Sequence, residues 1–192
     1  AWAMLERGDR VGGIVFSEHG HREVRPRRNK HAVLRLLNEL HDFNHALSRT
    51  SATREVIDSE NYFTDALANV RRVAKHGSVI FVISDFANSN EASRVHFQPL
   101  ARHNHVVGIH ISDPLEQELP APDLYSITDG RNRSRINTAS QRHRQAYKTG
   151  FQQEMARVQE EFLRVRSSLL TLQTHQSIVD GLNRQAGLLS AS

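Results

Sequence analysis

Short apolar runs and longer stretches of 3.6-residue periodicity alternate along the chain, and together they predict an ordered series of strands and helices. Ala1 to Arg7 looks like the end of a helix closed by Gly8-Asp9. Val11 to Phe16 reads as a strand, Gly20 lies in a turn, and His21 to Arg27 alternates as a second strand, which predicts a hairpin. His31 to Leu47 places Val33, Leu34, Leu36, Leu37, Leu40 and Phe43 at helical spacing. Ser48 to Ser59 is polar and reads as a loop. Glu60 to Lys75 forms an amphipathic helix through Phe63, Leu67, Val70 and Val73, with Gly77 as its stop. Ser78 to Phe86 carries six apolar residues with a β-branched bias, which reads as a buried strand ending on the carboxylate of Asp85.

The second half keeps the alternation. Glu91 to Arg102 is a short helix and His105 to Ser112 the next strand, ending in Asp113-Pro114. This strand–helix–strand order predicts a parallel unit with a right-handed crossover. Pro114, Pro120 and Pro122 mark a loop, and Leu124–Thr128 and Ser134–Asn137 read as short strands at the sheet edge around the turn Asp129-Gly130. Gln141 to Arg166 is a long helix, Ser168 to Thr174 a last strand and Ser177 to Gln185 a last helix. The pattern predicts an α/β three-layer sandwich, a mostly parallel sheet with helices on both faces, in a single domain over residues 1–192.

Composition narrows the chemistry. The 192 residues carry 25 basic and 21 acidic side chains, a net charge of +4, which points to an ordinary solvated surface. Arg22, Arg25, Arg27, Arg28 and Lys30 form a basic run, but no aromatic stacking platform accompanies it, so no nucleic-acid site is expected. Such charges on an edge strand discourage sheet-to-sheet aggregation. The sequence has no cysteine, which excludes disulfides and thiolate sites and fits a cytoplasmic protein. No apolar stretch approaches the ~20 residues of a membrane span. His41 and His45 share a helix face but lack the glutamate of a zincin, and His19/His21 and His103/His105 are pairs near turns; surface histidines are the simpler reading. No phosphate loop or nucleophile elbow is present. In open α/β sheets ligands bind beyond the carboxyl ends of strands, and a hard cation there takes oxygen ligands, which singles out Asp85.

Several stretches taken in order resemble the bacterial domain-of-unknown-function family 58. They are Ala1-Trp2-Ala3 through Gly8-Asp9-Arg10-Val11-Gly12-Gly13-Ile14-Val15-Phe16, Glu23-Val24-Arg25-Pro26-Arg27-Arg28, Ala66-Leu67, Val82-Ile83-Ser84-Asp85-Phe86, Val106 to Pro114, and Leu170-Thr171-Leu172-Gln173-Thr174. The resemblance implies a von Willebrand factor A-like fold with a metal-ion-dependent adhesion site for Mg²⁺. That site is built from an Asp-x-Ser-x-Ser motif, a Thr before a helix and an Asp after a strand. Asp85 matches the last of these. Asn61 falls where the Thr is expected, with Ser59 and Thr64 near it. The Asp-x-Ser-x-Ser motif does not occur and is expected upstream of Ala1, on a first strand this chain lacks.

The resemblance thus implies a non-enzymatic protein-interaction domain, chaperone-like or adaptor in role, that works with a MoxR-type AAA+ ATPase through a cation-bridged contact. The missing strand leaves the Ser78–Phe86 strand with an unpaired edge, so the 192 residues are expected either to recruit another strand in its place or to self-associate through that exposed edge. Two other readings stand beside it: a structural domain with a degenerate, metal-free site, and a metal-dependent hydrolase using Asp85, Asp113 and His110.

Overall fold

The computed structural model describes residues 1–17, 20–49, 61–128 and 132–189. His19, Ser59 with most of its expected loop, and the Asp129-Gly130 turn lie outside the described residues. The elements run α1 (Trp2–Glu6), β1 (Val11–Ser17), β2 (Gly20–Arg27), α2 (Lys30–Arg49), α3 (Tyr62–Val73), β3 (Val79–Ser84), α4 (Glu91–His103), β4 (His105–Ser112), α5 (Pro114–Gln117), β5 (Leu124–Thr128), β6 (Arg133–Asn137), α6 (Gln141–Arg164), β7 (Ser168–Gln173) and α7 (Ile178–Leu189). They group into two compact units: residues 1–74 with 88–97, and residues 75–87 with 98–192.

In the first unit β1 and β2 form the expected antiparallel hairpin, with a bulge between Val11 and Gly13. The hairpin is a two-stranded sheet of its own. Its apolar face needs cover, because two strands alone are at best marginally stable in water. Helices α2 and α3 supply that cover. Leu36 of α2 sits so close to Gly13 that a Cβ there would lie 2.8 Å from its Cδ1. Phe16 meets the rings of Tyr62 and Phe63 at 6.2 and 6.1 Å. Val15, Val24, Val33, Phe63, Ala66 and Leu67 are buried. Arg72 of α3 donates to Glu23 of β2 at 2.6 Å. Arg25 and Arg27 are exposed, as the alternation along β2 requires.

The second unit holds a parallel three-stranded sheet in the order β3-β4-β7, flanked by helices. Val79 to Ser84 pair residue by residue with His105 to His110, and Val107 to Ser112 with Ser168 to Gln173. Alternation puts Val107, Ile109, Leu170 and Leu172 on one face, where Leu182 of α7 packs against them. Gly108 opens the other face, and α6 presses into it. A Cβ on Gly108 would sit 2.4 Å from Phe162 Cζ and 2.8 Å from Leu169 Cδ1, so only glycine admits the helix at this distance. Central β4 is buried over nearly its whole length.

Two expectations change. Strand β3 is as apolar as a buried strand, yet Val79, Phe81 and Ile83 are 50, 52 and 59% exposed, and Val82 alone is buried. The reason is position: β3 is an edge strand, and α7 lies over β7 at the other side of the sheet. Strands β5 and β6 do not join the edge of the central sheet but pair with each other as a separate antiparallel hairpin. That hairpin is tied down at its base. Thr138 is fully buried and its hydroxyl donates to the carbonyls of Ala121 and Asp123. Arg144 of α6 donates to the carbonyls of Pro120 and Leu119 at 2.5 and 2.9 Å.

Candidate functional site

The carboxyl end of β3 is closed by a hydrogen-bonded turn. Asp85 Oδ1 accepts from the Ala87 amide at 3.2 Å and from Ser84 Oγ at 3.3 Å, and Ser84 Oγ accepts from the Phe86 amide at 3.1 Å. These bonds fold the chain into a turn in which Phe86 takes φ +55°, a left-handed conformation that costs a bulky residue on the order of 1–3 kcal/mol. Burial of the Phe86 ring offsets that cost. The ring is 2% exposed, stands edge-on to Phe162 at 5.4 Å and lies parallel to His110 at 6.2 Å. The turn therefore holds the Asp85 carboxylate at the surface, with Oδ2 free of any hydrogen bond among the described residues.

His110 sits beneath this turn on β4. Burial pushes its pKa down, opposed in part by the Asp85 carboxylate and by a hydrogen bond with the Asp85 main chain. The ring is 4% exposed, and its Nδ1 is buried without a hydrogen-bond partner. Beside it lies a cleft of about 530 Å³ at the carboxyl ends of β4 and β7. Strand residues His110, Ser112, Thr171 and Gln173 line it, joined by side chains of α5, α6 and α7. In α7, Gln185 is turned onto the outer edge of β7: its Oε1 accepts from the Thr171 amide at 2.8 Å and its Nε2 donates to the Thr171 carbonyl.

Asp113, the second strand-end carboxylate, has both oxygens engaged. Oδ1 caps α5 by accepting from the Leu115 amide at 2.9 Å, and Oδ2 accepts from Thr174 Oγ1 at 2.6 Å. The Thr174 bond and then the Leu115 bond hold its pKa below the usual carboxylate value. Its place in an Asp-Pro turn signal is thereby explained structurally, as a helix N-cap with proline at the first helical position.

Asn61 lies in the first unit, at the N-cap position of α3, and its side chain makes no capping bond. Thr64, in the first turn of the same helix, is buried with its Oγ1 unpartnered. Asp85 belongs to the second unit. Asp85 Oδ2, the Asn61 amide oxygen and Thr64 Oγ1 are oxygen donors of the kind a hard cation takes, but Mg²⁺ demands an octahedron of six. Among the described residues no group of three or more His, Cys, Asp or Glu side chains could hold a metal. Each offers a donor of the right chemistry within its own unit.

Of the histidine pairs, one is a ring contact and one is not. His41 and His45 meet at 4.2 Å on exposed α2, and His103 stacks on His76 at 4.4 Å rather than acting with His105. No helix among the described residues is long and apolar enough to cross a membrane. The cleft was missed by sequence reasoning. Its lining residues are scattered from His110 to Gln185 and share no spacing; only the unusual glutamine content of residues 117–185 hints at it.

The fold and the strand-end turn define a mixed α/β protein with a short parallel sheet. A solved structure of that fold is the crystal structure of conserved hypothetical protein BatB from Bacteroides thetaiotaomicron. It is 14% identical with a TM-score of 0.50, and the match covers 99% of this chain and 84% of that one. At that identity the likeness speaks for the fold alone. The sequence profile of the family described as "Protein of unknown function DUF58" matches residues 1–157, and the chain belongs to that family. No curated protein matches it.

Proposed function

We propose that this chain is a protein-interaction domain and not an enzyme, and that its contact surface is the open edge of β3. The observation that carries the reading is the contrast between β3 and the rest of the sheet. Val79, Phe81 and Ile83 stand half exposed on a strand that has no neighbour on its outer side among the described residues, and the strand has no Lys, Glu or Pro to blunt it. Soluble proteins normally protect such edges, and contiguous exposed apolar surface marks interaction sites. A strand added to this edge gains main-chain hydrogen bonds and covers the apolar side chains in one step.

For the chain by itself the occupant is a second copy. Strand β3 carries no charge from Val79 to Ser84, so two copies meet without like-charge repulsion. The contact is small against the 1,200–2,000 Å² of a stable interface, so association is weak and concentration-dependent. Light scattering across a concentration series is expected to show growing dimer, and Phe81→Lys to abolish it while leaving circular dichroism unchanged. A monomer at every concentration would sink the proposal.

The finer form of the reading is a cation-bridged contact with a MoxR-type AAA+ ATPase. It rests on the family resemblance and on the free oxygen of Asp85. In it Asp85 contributes one oxygen to Mg²⁺ and an acidic side chain of the partner another. Calorimetric titration of Mn²⁺ in the presence of the ATPase is expected to give heat that Asp85→Ala removes. Identical heats for both proteins would overturn this part and leave the β3 edge untouched.

A further inference from the structure

We infer that His41 and His45 form a chelating site for a borderline divalent transition ion, Zn²⁺, Ni²⁺ or Cu²⁺, on the exposed face of α2. Their spacing brings them together. Residues i and i+4 stand one turn apart on the same face of a helix, with Cβ atoms about 5–6 Å from each other. Here the ring centres lie 4.2 Å apart. Both residues are exposed, and neither ring makes a hydrogen bond or an ion pair among the described residues. An ion in solvent therefore reaches both rings without displacing a protein contact other than the one between them.

Ring orientation separates this pair from the other close pair of histidines. The lone pair of an imidazole nitrogen lies in the plane of its ring, so one ion bonds two rings only where their planes cross. The planes of His41 and His45 are inclined at 63° and cross near both rings. An ion about 2.0–2.1 Å from each nitrogen sets the two nitrogens about 3.3 Å apart in tetrahedral geometry. Rotation about the side-chain torsions of exposed residues reaches that spacing with the helix unchanged. His76 and His103 are nearly as close, at 4.4 Å, but their planes meet at only 17°. Those rings lie side by side, and their lone pairs do not converge.

The surroundings suit a cation of this class. Asp42, next to His41, is exposed and makes no ion pair among the described residues. Imidazole nitrogen favours Zn²⁺, Ni²⁺ and Cu²⁺, whereas Mg²⁺ and Ca²⁺ take oxygen. Two protein ligands are fewer than the three or four of catalytic and structural zinc sites. The ion held here is therefore exchangeable and keeps open positions for water.

The probe is Zn²⁺ itself, titrated into the full 192-residue chain labelled with ¹⁵N. Imidazole nitrogens are followed by NMR, and affinity is measured by competition with a chromogenic chelator. The tightest site is expected to take one ion per chain and to shift His41 and His45 in parallel. Cu²⁺ is expected to bind more tightly than Zn²⁺, and Mg²⁺ to shift neither ring. Both positions are exposed, so His41→Gln and His45→Gln are expected to keep the circular dichroism of the parent. Each is expected to weaken the tightest site at least about tenfold, because the second bond of a chelate forms at high effective concentration. His76→Gln/His103→Gln is expected to leave that site unchanged. Absence of saturation would overturn the inference, as would full affinity in either single variant or loss of the tightest site in the double one. So would shifts scattered over many of the 12 histidines with no site tighter than the rest, the mark of adventitious binding only.

Discussion

Replacing Phe162 with alanine is expected to lower stability by about 3–5 kcal/mol. Phe162 is 2% exposed and fills the space over Gly108 that a Cβ would occupy. It also supports the edge of Phe86 at 5.4 Å. Truncation removes the helix–sheet contact of α6 and the packing that holds Phe86 at positive φ, so the Asp85 turn is expected to relax with it. Urea unfolding followed by far-ultraviolet circular dichroism measures the loss. Leu163→Ala is the control: that neighbour is 74% exposed and its truncation should change stability by no more than about 0.5 kcal/mol. Similar midpoints for the two variants would contradict the packing described for α6.

The second large effect is expected at Arg144. Its guanidinium donates to three carbonyls, of Pro120, Leu119 and Thr138, which belong to the two chain ends of the β5–β6 hairpin. Arg144→Ala leaves these partly buried acceptors unpaired, at a cost of about 2–3 kcal/mol. The ion pair with Glu118 at 3.5 Å adds little, because Glu118 is largely exposed. Arg144→Lys keeps the charge but loses the fork that reaches separate carbonyls, and recovers part of the loss. Hydrogen exchange gives the readout. The Thr138 amide, which donates to Asp123 O, is expected to exchange roughly 30–100-fold faster in Arg144→Ala, while amides of β4 keep their protection. Uniform acceleration across β4 and the hairpin would mean that Arg144 supports the whole unit.

The elements most legible in the sequence are those whose local pattern and tertiary role agree. β4 is apolar and central, and its predicted bounds, His105 to Ser112, are those observed. α6 shows helical periodicity from Tyr147 through Phe162 and is a long helix. β3 was legible as a strand, and its open edge followed from the family resemblance; its local pattern nevertheless read as buried, because side-chain burial depends on which strand lies at the edge, a property of the assembled sheet. The four-residue α5 hid in a proline-rich stretch, since one turn of helix has no period to detect; its Asp113-Pro114 start was the sole local signal. Of the candidate site, the place of Asp85 at a strand end could be read from the chain. The positive φ of Phe86 could not, because a phenylalanine gives no hint of left-handed backbone. Nor could the cleft, whose walls meet only after α6 and α7 dock on the sheet.

The two margins of the parallel sheet are treated differently, and this sets what kind of assembly it can build. Along β7 the outward peptide of Thr171 is already taken by Gln185, and the Gln173 carbonyl accepts from the Gln176 amide at 3.0 Å. These groups are withheld from a further strand, whereas among the described residues no strand pairs with the outer side of β3. A sheet with two open margins polymerises into fibres, because each newcomer offers another landing place. On the proposed β3 contact two copies would turn these engaged β7 margins outward, so the expected assembly is a pair related by a twofold axis and not a fibre.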